Sequence, residues 1–178
     1  IEAGDIGKPI YFKGVSRDPA SPPEAYIRTS GGIFLDLAIH DFDIARYLMG
    51  SEVKTVRSVG SIQLHTFMAD CGDVDQALTY LTFESGAAGD VESSRNAGYG
   101  YDIRGEVVGT EGTLLIGSLR QRDLVFLSRN GRTTDIVPDF VRRFDEAFTL
   151  ELEHFIECVR RRETPLCTMV DGIRALEI

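Results

Sequence analysis

In "KPIYFKGVSR", Ile10, Phe12 and Gly14 alternate with Tyr11, Lys13 and Val15, a period of two that predicts an opening strand. The next segment, "DPASPPEAYIRTSGG", holds three prolines, two of them adjacent. It reads as a loop, because proline neither donates to a sheet ladder nor fits a helix interior. The period then changes. In "GGIFLDLAIHDFDIARYLMG" large apolar residues return every three or four positions, which predicts a helix from about residue 33 to 49 with Gly50 as its stop. "VKTVRSVGSIQL" is β-branched and strand-like, and "FMADCGDVD" reads as an acidic turn. Three hairpins follow, turning at Ser85-Gly86, at Gly109 to Gly112 and at Asn130-Gly131, the last being the strongest local signal. After Pro138 the helical period resumes, with Phe144, Phe148, Leu152, Phe155, Ile156 and Val159 in one stripe. Arg160, Arg161 and Arg162 suit the negative end of that helix's dipole and read as a solvated terminus. "TMVDGIRALEI" closes the chain as a further helix with Ile173, Leu176 and Ile178 in line.

Strand, helix, several hairpin-linked strands and a long helix predict an α+β domain spanning residues 1–178. Its sheet should be open and largely antiparallel, with helices packed on one face. The other face must meet water or a partner. Leu and Tyr alternate along "QALTYLTF", so that face is expected to be partly apolar and available for oligomerisation.

At 178 residues, 43% hydrophobic and 26% charged, the chain can bury one substantial core. A net charge of −9 argues against nucleic acid and anionic membrane as partners, since both need a basic face. No apolar run approaches a membrane span, which needs roughly 20 residues. Cys71, Cys158 and Cys167 are odd in number and form no C-x-x-C pair, which points to a reducing, cytoplasmic setting with each thiol at least half-buried. The first residue is Ile1, and the last helix stops without a cap, so the chain reads as a piece of something longer. It lacks a G-x-G-x-x-G fingerprint. Gly98 and Gly100 in "NAGYGYD" precede a strand and suggest a bulge or a close backbone approach rather than a phosphate loop.

Asp36, His40, Asp43 and Tyr47 step by four, three and four, placing a polar line on an otherwise apolar helix. A buried charge without a partner costs several kcal/mol, so these groups must be paired, solvated or facing a pocket. Asp36, one turn before His40, could accept one ring N–H and leave the other nitrogen free to take a proton from a hydroxyl. Equally, His40 could be a satisfied core histidine, with Asp36 its partner or an exposed acid. A metal site is the third option, with only His65 and His154 as further imidazoles.

"GGIFLDLAIHDFDIARYLMG" resembles the G-G-x-x-x-D-x-x-x-H-D-x-D motif of the glucose-fructose oxidoreductase, inositol dehydrogenase and rhizopine-catabolism family. "GDIGKPIYFKGVSRDP", "YGYDIRGEVVGTEGTLLIG" and "RFDEAFTLELEHFIECVRRRETPLCTMVDGIRALEI" resemble further blocks of its C-terminal domain, in order. The resemblance implies an NAD-dependent polyol dehydrogenase, most like an inositol 2-dehydrogenase and tetrameric. A separate N-terminal Rossmann domain, absent here, would bind NAD and supply a catalytic lysine. The fragment alone is then expected to be inactive and to hold NAD weakly. Carried over residue by residue, His40 would be the base and Asp36 its orienting or hydroxyl-holding partner. Tyr101, and more weakly Arg17 and Asp18, would contact the substrate, while Asp43 would be structural. The same resemblance admits a related sugar or dihydrodiol dehydrogenase. A non-catalytic oligomerisation or sugar-binding sheet domain is the reading from another class, and it requires His40 to be sealed in the core.

Overall fold

A computed structural model describes residues 1, 3–120 and 125–178. Among the described residues eight strands form: β1 (Pro9–Arg17), β2 (Val53–Ser61), β3 (Gln76–Phe83), β4 (Ala88–Ser94), β5 (Asp102–Gly109), β6 (Thr113–Ile116), β7 (Val125–Ser128) and β8 (Gly131–Thr134). The first six make one sheet in the order β2-β3-β4-β1-β5-β6, and β7 and β8 pair separately. All pairings are antiparallel except β1 with β4, which run parallel at the sheet's centre. The predicted turns at Ser85-Gly86, Gly109 to Gly112 and Asn130-Gly131 fall between β3 and β4, β5 and β6, and β7 and β8. Asp123 and Leu124, read with the last hairpin, lie outside the described residues.

The helices are α1 (Glu24–Ser30), α2 (Ile39–Met49), α3 (Met68–Cys71), α4 (Phe140–Arg143), α5 (Asp145–Arg161) and α6 (Met169–Leu176). Phe12 of β1, Leu81 and Phe83 of β3, Val91 of β4 and Val107 of β5 point to one face, where Ala38, Phe42, Ala45 and Met49 close over them. Each large side chain so buried contributes about 1.5–3 kcal/mol. The two alanines let α2 lie close to the sheet. α6 packs on α2 and begins with a capping box, Thr168 N–H donating to Asp171 at 2.8 Å and Val170 N–H to Thr168 at 3.2 Å. Arg46 ties the layers together, donating to Glu52 at 2.7 Å, to Asp43 at 3.0 Å and to the Asp171 carbonyl at 3.3 Å. Asp43 is thus engaged by Arg46.

Several expectations need correction. The proline-rich segment is not all loop: Pro22 and Pro23 stand just before α1, where their missing N–H groups are not needed. The acidic turn contains the short helix α3. Helix 33–49 is not uniform, because residues Phe34–Ala38 form a π turn in which the Ile39 N–H bonds to the Phe34 carbonyl, five residues back. The apolar stripe of α5 is not covered: Phe148, Leu152, Phe155, Ile156 and Val159 are all exposed, and only Cys158 of this helix is buried. Cys71 is half-buried, but Cys167 is exposed. Arg161 pairs with Glu157 at 2.5 Å on the surface, in keeping with a solvated helix end. Gly100 is a close approach, its missing Cβ leaving room for the Ile136 side chain.

The sheet's second face is of mixed character. Val59 sits opposite Leu78, with Tyr80 alongside, and all three are exposed. The central strands instead carry ion pairs such as Lys13–Asp90 (2.9 Å) and Arg17–Glu92 (2.6 Å).

Candidate active site

Because β1 and β4 are parallel, they end at the same edge of the sheet, with Arg17 beside Ser94. The next residues, Asp18 and Arg95, turn onto the helix-covered side. The Asp18 N–H donates to the Ser94 carbonyl at 2.8 Å, and the Arg95 N–H to that of Asp75 at 2.9 Å. The Arg95 side chain, only 1% exposed, then forks: Nη1 donates to Asp18 Oδ2 at 3.0 Å and Nη2 to Asp36 Oδ2 at 2.6 Å. Tyr26 of α1 donates its hydroxyl to the other oxygen, Asp36 Oδ1, at 2.6 Å. Burial pushes the Asp18 carboxyl up, against the pull of Arg95 and with the Asp36 charge adding to the rise. The Asp36 hydrogen bond raises the Tyr26 phenol.

His40, second residue of α2, is exposed, and its imidazole has no hydrogen bond to any described residue. Asp36 thus does not hold the His40 ring; its oxygens are engaged by Tyr26 and Arg95. The π turn explains the difference, since an i+5 turn rotates the residues after it relative to a 3.6 projection. Asp41, 8% exposed, lies instead between α2 and β1: its Oδ1 is 3.1 Å from where a Cβ on Gly14 would stand. Burial pushes its carboxyl up to about 7, partly offset by a hydrogen bond from Ser16. Tyr101 precedes β5 and packs edge-on against Phe144, ring centroids 6.3 Å apart. Its phenol is pushed up to about 12 by burial, with the charges of Asp18 and Asp41 adding.

Asp18, Asp36 and Tyr101 are therefore gathered at this edge, but Arg17 is not. Strand alternation sends it to the opposite face, where it pairs with Glu92, Tyr99 and Asp102. Sequence reasoning missed Arg95, Tyr26 and Asp41. Only Asp41 left a signal, as a carboxylate spaced three after Ala38 and four before Ala45 on the buried face of α2. Among the described residues no three His, Cys, Asp or Glu side chains form a possible metal-ligand set. Nor is any helix long and apolar enough to cross a membrane.

A half-buried polar cluster at the carboxyl edge of two parallel strands is the layout of a small-molecule-binding α+β domain. The chain belongs to the Gfo/Idh/MocA oxidoreductase family, matching its C-terminal alpha/beta domain over residues 1–178. It is 56% identical, over 100% of its length and 52% of the relative's, to the scyllo-inositol 2-dehydrogenase (NAD(+)) of Bacillus subtilis. It is 44% identical to the myo-inositol 2-dehydrogenase of Thermotoga maritima, over 99% of this chain and 53% of that one. A crystal structure of a myo-inositol dehydrogenase from Corynebacterium glutamicum superposes with a TM-score of 0.93 at 31% identity, covering 99% of this chain and 53% of that one. The chain thus spans about half the length of these relatives.

The family implies NAD, and the start of the motif helix is a poor fit for its phosphates. A helix N-terminus can take a pyrophosphate only where its N–H groups are free. Here the Asp73 carboxylate already accepts the Ile33 N–H at 3.0 Å. A phosphate would meet a negative charge at that point.

Proposed function

We propose that this chain is the substrate-facing half of an NAD-dependent dehydrogenase that oxidises a ring hydroxyl of a polyol, inositol at carbon 2 being the first candidate. The observation that carries this reading is His40: an exposed imidazole with no hydrogen bond to any described residue, one turn from an acid held by its own partners. In this reading His40 takes the hydroxyl proton as hydride leaves the carbinol carbon. Asp36 and Asp18 accept hydrogen bonds from neighbouring ring hydroxyls, because each carboxylate has more lone pairs than its protein donors use. Tyr101 donates or accepts at the same edge. Arg17 has no role there.

The hydride acceptor, NAD, belongs to a nucleotide-binding half of the intact enzyme, and every step assigned to this chain is a proton or hydrogen-bond step. The relatives' names, a scyllo-inositol and a myo-inositol 2-dehydrogenase, support a polyol without choosing the isomer. Assembly through the open sheet face, as a cytoplasmic homotetramer, is part of the same proposal. It is supported by the exposed Val59, Leu78 and Tyr80 on that face. The exposure of His40 counts against a non-catalytic domain, which would seal it in the core.

The test is a polyol oxidation screen of the full-length protein with both NAD and NADP. Inositols should reduce NAD faster than glucose or a dihydrodiol does. A folded full-length protein that oxidises none of them would overturn the reading, and faster turnover of glucose or a dihydrodiol would move the substrate within the family.

A further inference from the structure

We infer that Arg95 is a positioning residue for substrate binding: its buried guanidinium fixes the direction in which Asp36 and Asp18 present their remaining lone pairs. The inference rests on the proposed role of those two acids as hydroxyl acceptors.

Arg95 is 1% exposed, and an unpaired guanidinium at that depth would be strongly destabilising. Two carboxylates pair with it, and they come from different parts of the chain, Asp18 just past β1 and Asp36 in the π turn. The guanidinium is planar and rigid, so donors on its two terminal nitrogens set an angular relation between the acids that bind it. Bonds of 3.0 Å and 2.6 Å leave little slack in either. Both carboxylates stay partly open on the side away from Arg95, their side chains 20% and 18% exposed. Each acid is thus anchored from inside and accessible from outside. Tyr26 fixes the second oxygen of Asp36, so that carboxylate has no free rotation about its last bond. At 1% exposure Arg95 is too deeply buried to be a substrate ligand itself. Two acids around one base leave the cluster with a negative formal charge, which suits a polyol with hydroxyl donors.

A purely structural ion pair would affect stability alone. The test therefore reads the kinetics of the full-length enzyme. Arg95→Met should raise KM for the polyol by about tenfold or more, lower kcat by a smaller factor and leave KM for NAD within about twofold. Adding Asp36→Asn to Arg95→Met should cost little beyond the worse single change, because both remove one unit. A folded Arg95→Met enzyme with wild-type polyol KM, or single effects that simply multiply, would overturn the inference. Should Arg95→Met not fold, Arg95→Lys carries the same test. One ammonium cannot span both acids, so polyol KM should again rise, and an unchanged value overturns the inference. If the wild-type enzyme oxidises no polyol, the functional reading fails on its own, and the clamp is then judged by a crystal structure of Arg95→Lys. Asp36 should leave its Tyr26-bonded position; Asp18 and Asp36 both unmoved would overturn it.

Discussion

The Asp73 carboxylate lies 2.9 Å from where a Cβ on Gly32 would stand, and its Oδ1 accepts the Ile33 N–H at 3.0 Å. Gly32 has φ +85°, a left-handed conformation that side chains rarely adopt. The second glycine of the motif is thus required twice, by backbone conformation and by the acid capping the turn that carries Asp36. Gly32→Ala should destabilise the domain by about 1–3 kcal/mol, read as a lower urea midpoint at unchanged slope. A midpoint equal to wild type would show that Asp73 moves aside freely.

His40→Ala in the full-length enzyme should lower turnover by roughly 10² to 10⁴, the worth of a positioned acid–base group, with NAD affinity nearly unchanged. Stability should hardly move, since the side chain is exposed and makes no hydrogen bond to a described residue. Steady-state kinetics with the preferred polyol decides this. Retained turnover would remove His40 from the chemistry.

Asp41 should make folding depend on pH. Its folded pKa, about 7, lies above its ordinary value of 3.8 because burial disfavours the charged form. The folded state therefore binds more protons than the unfolded state between those values. Stability falls as pH rises through that window, by up to about 1.4 kcal/mol per pH unit, and the loss is complete above the folded pKa. Asp41→Asn, neutral at every pH, should remove that slope from the unfolding free energy and gain relative to wild type at pH 8. Parallel wild-type and variant profiles would show that Asp41 does not titrate there.

Arg17→Ala should leave polyol KM within about twofold of wild type, because the side chain lies on the far face of the sheet. The cost should appear as stability instead, about 1–3 kcal/mol, since the fully buried Asp102 loses one of its partners. A selective rise in polyol KM would place Arg17 in the site after all.

The strands, the three hairpin turns and the helix carrying Asp36 and His40 were legible because each follows from a local backbone period or turn residue. α1 was not, since prolines that begin a helix carry the same letters as prolines that break a loop. The stripe of α5 was visible, but not that the described residues leave it uncovered. The π turn was hidden as well, because nothing in "FLDLA" distinguishes a five-residue turn from an α turn, and its extra residue moved Asp36 out of register with His40.

Local spacing by itself determined that an acid and an imidazole would lie within a turn of each other on one helix, and that strands would precede and follow it. Tertiary structure alone decided that β4 would lie parallel beside β1, bringing Arg95 to acids 77 and 59 residues away in sequence. It also decided the facing of neighbours, sending Asp18 to the site and Arg17 to the opposite surface. The physical reason is that periodicity records backbone geometry over a few residues, whereas charge pairing across the chain depends on strand order, which the burial of distant apolar side chains selects.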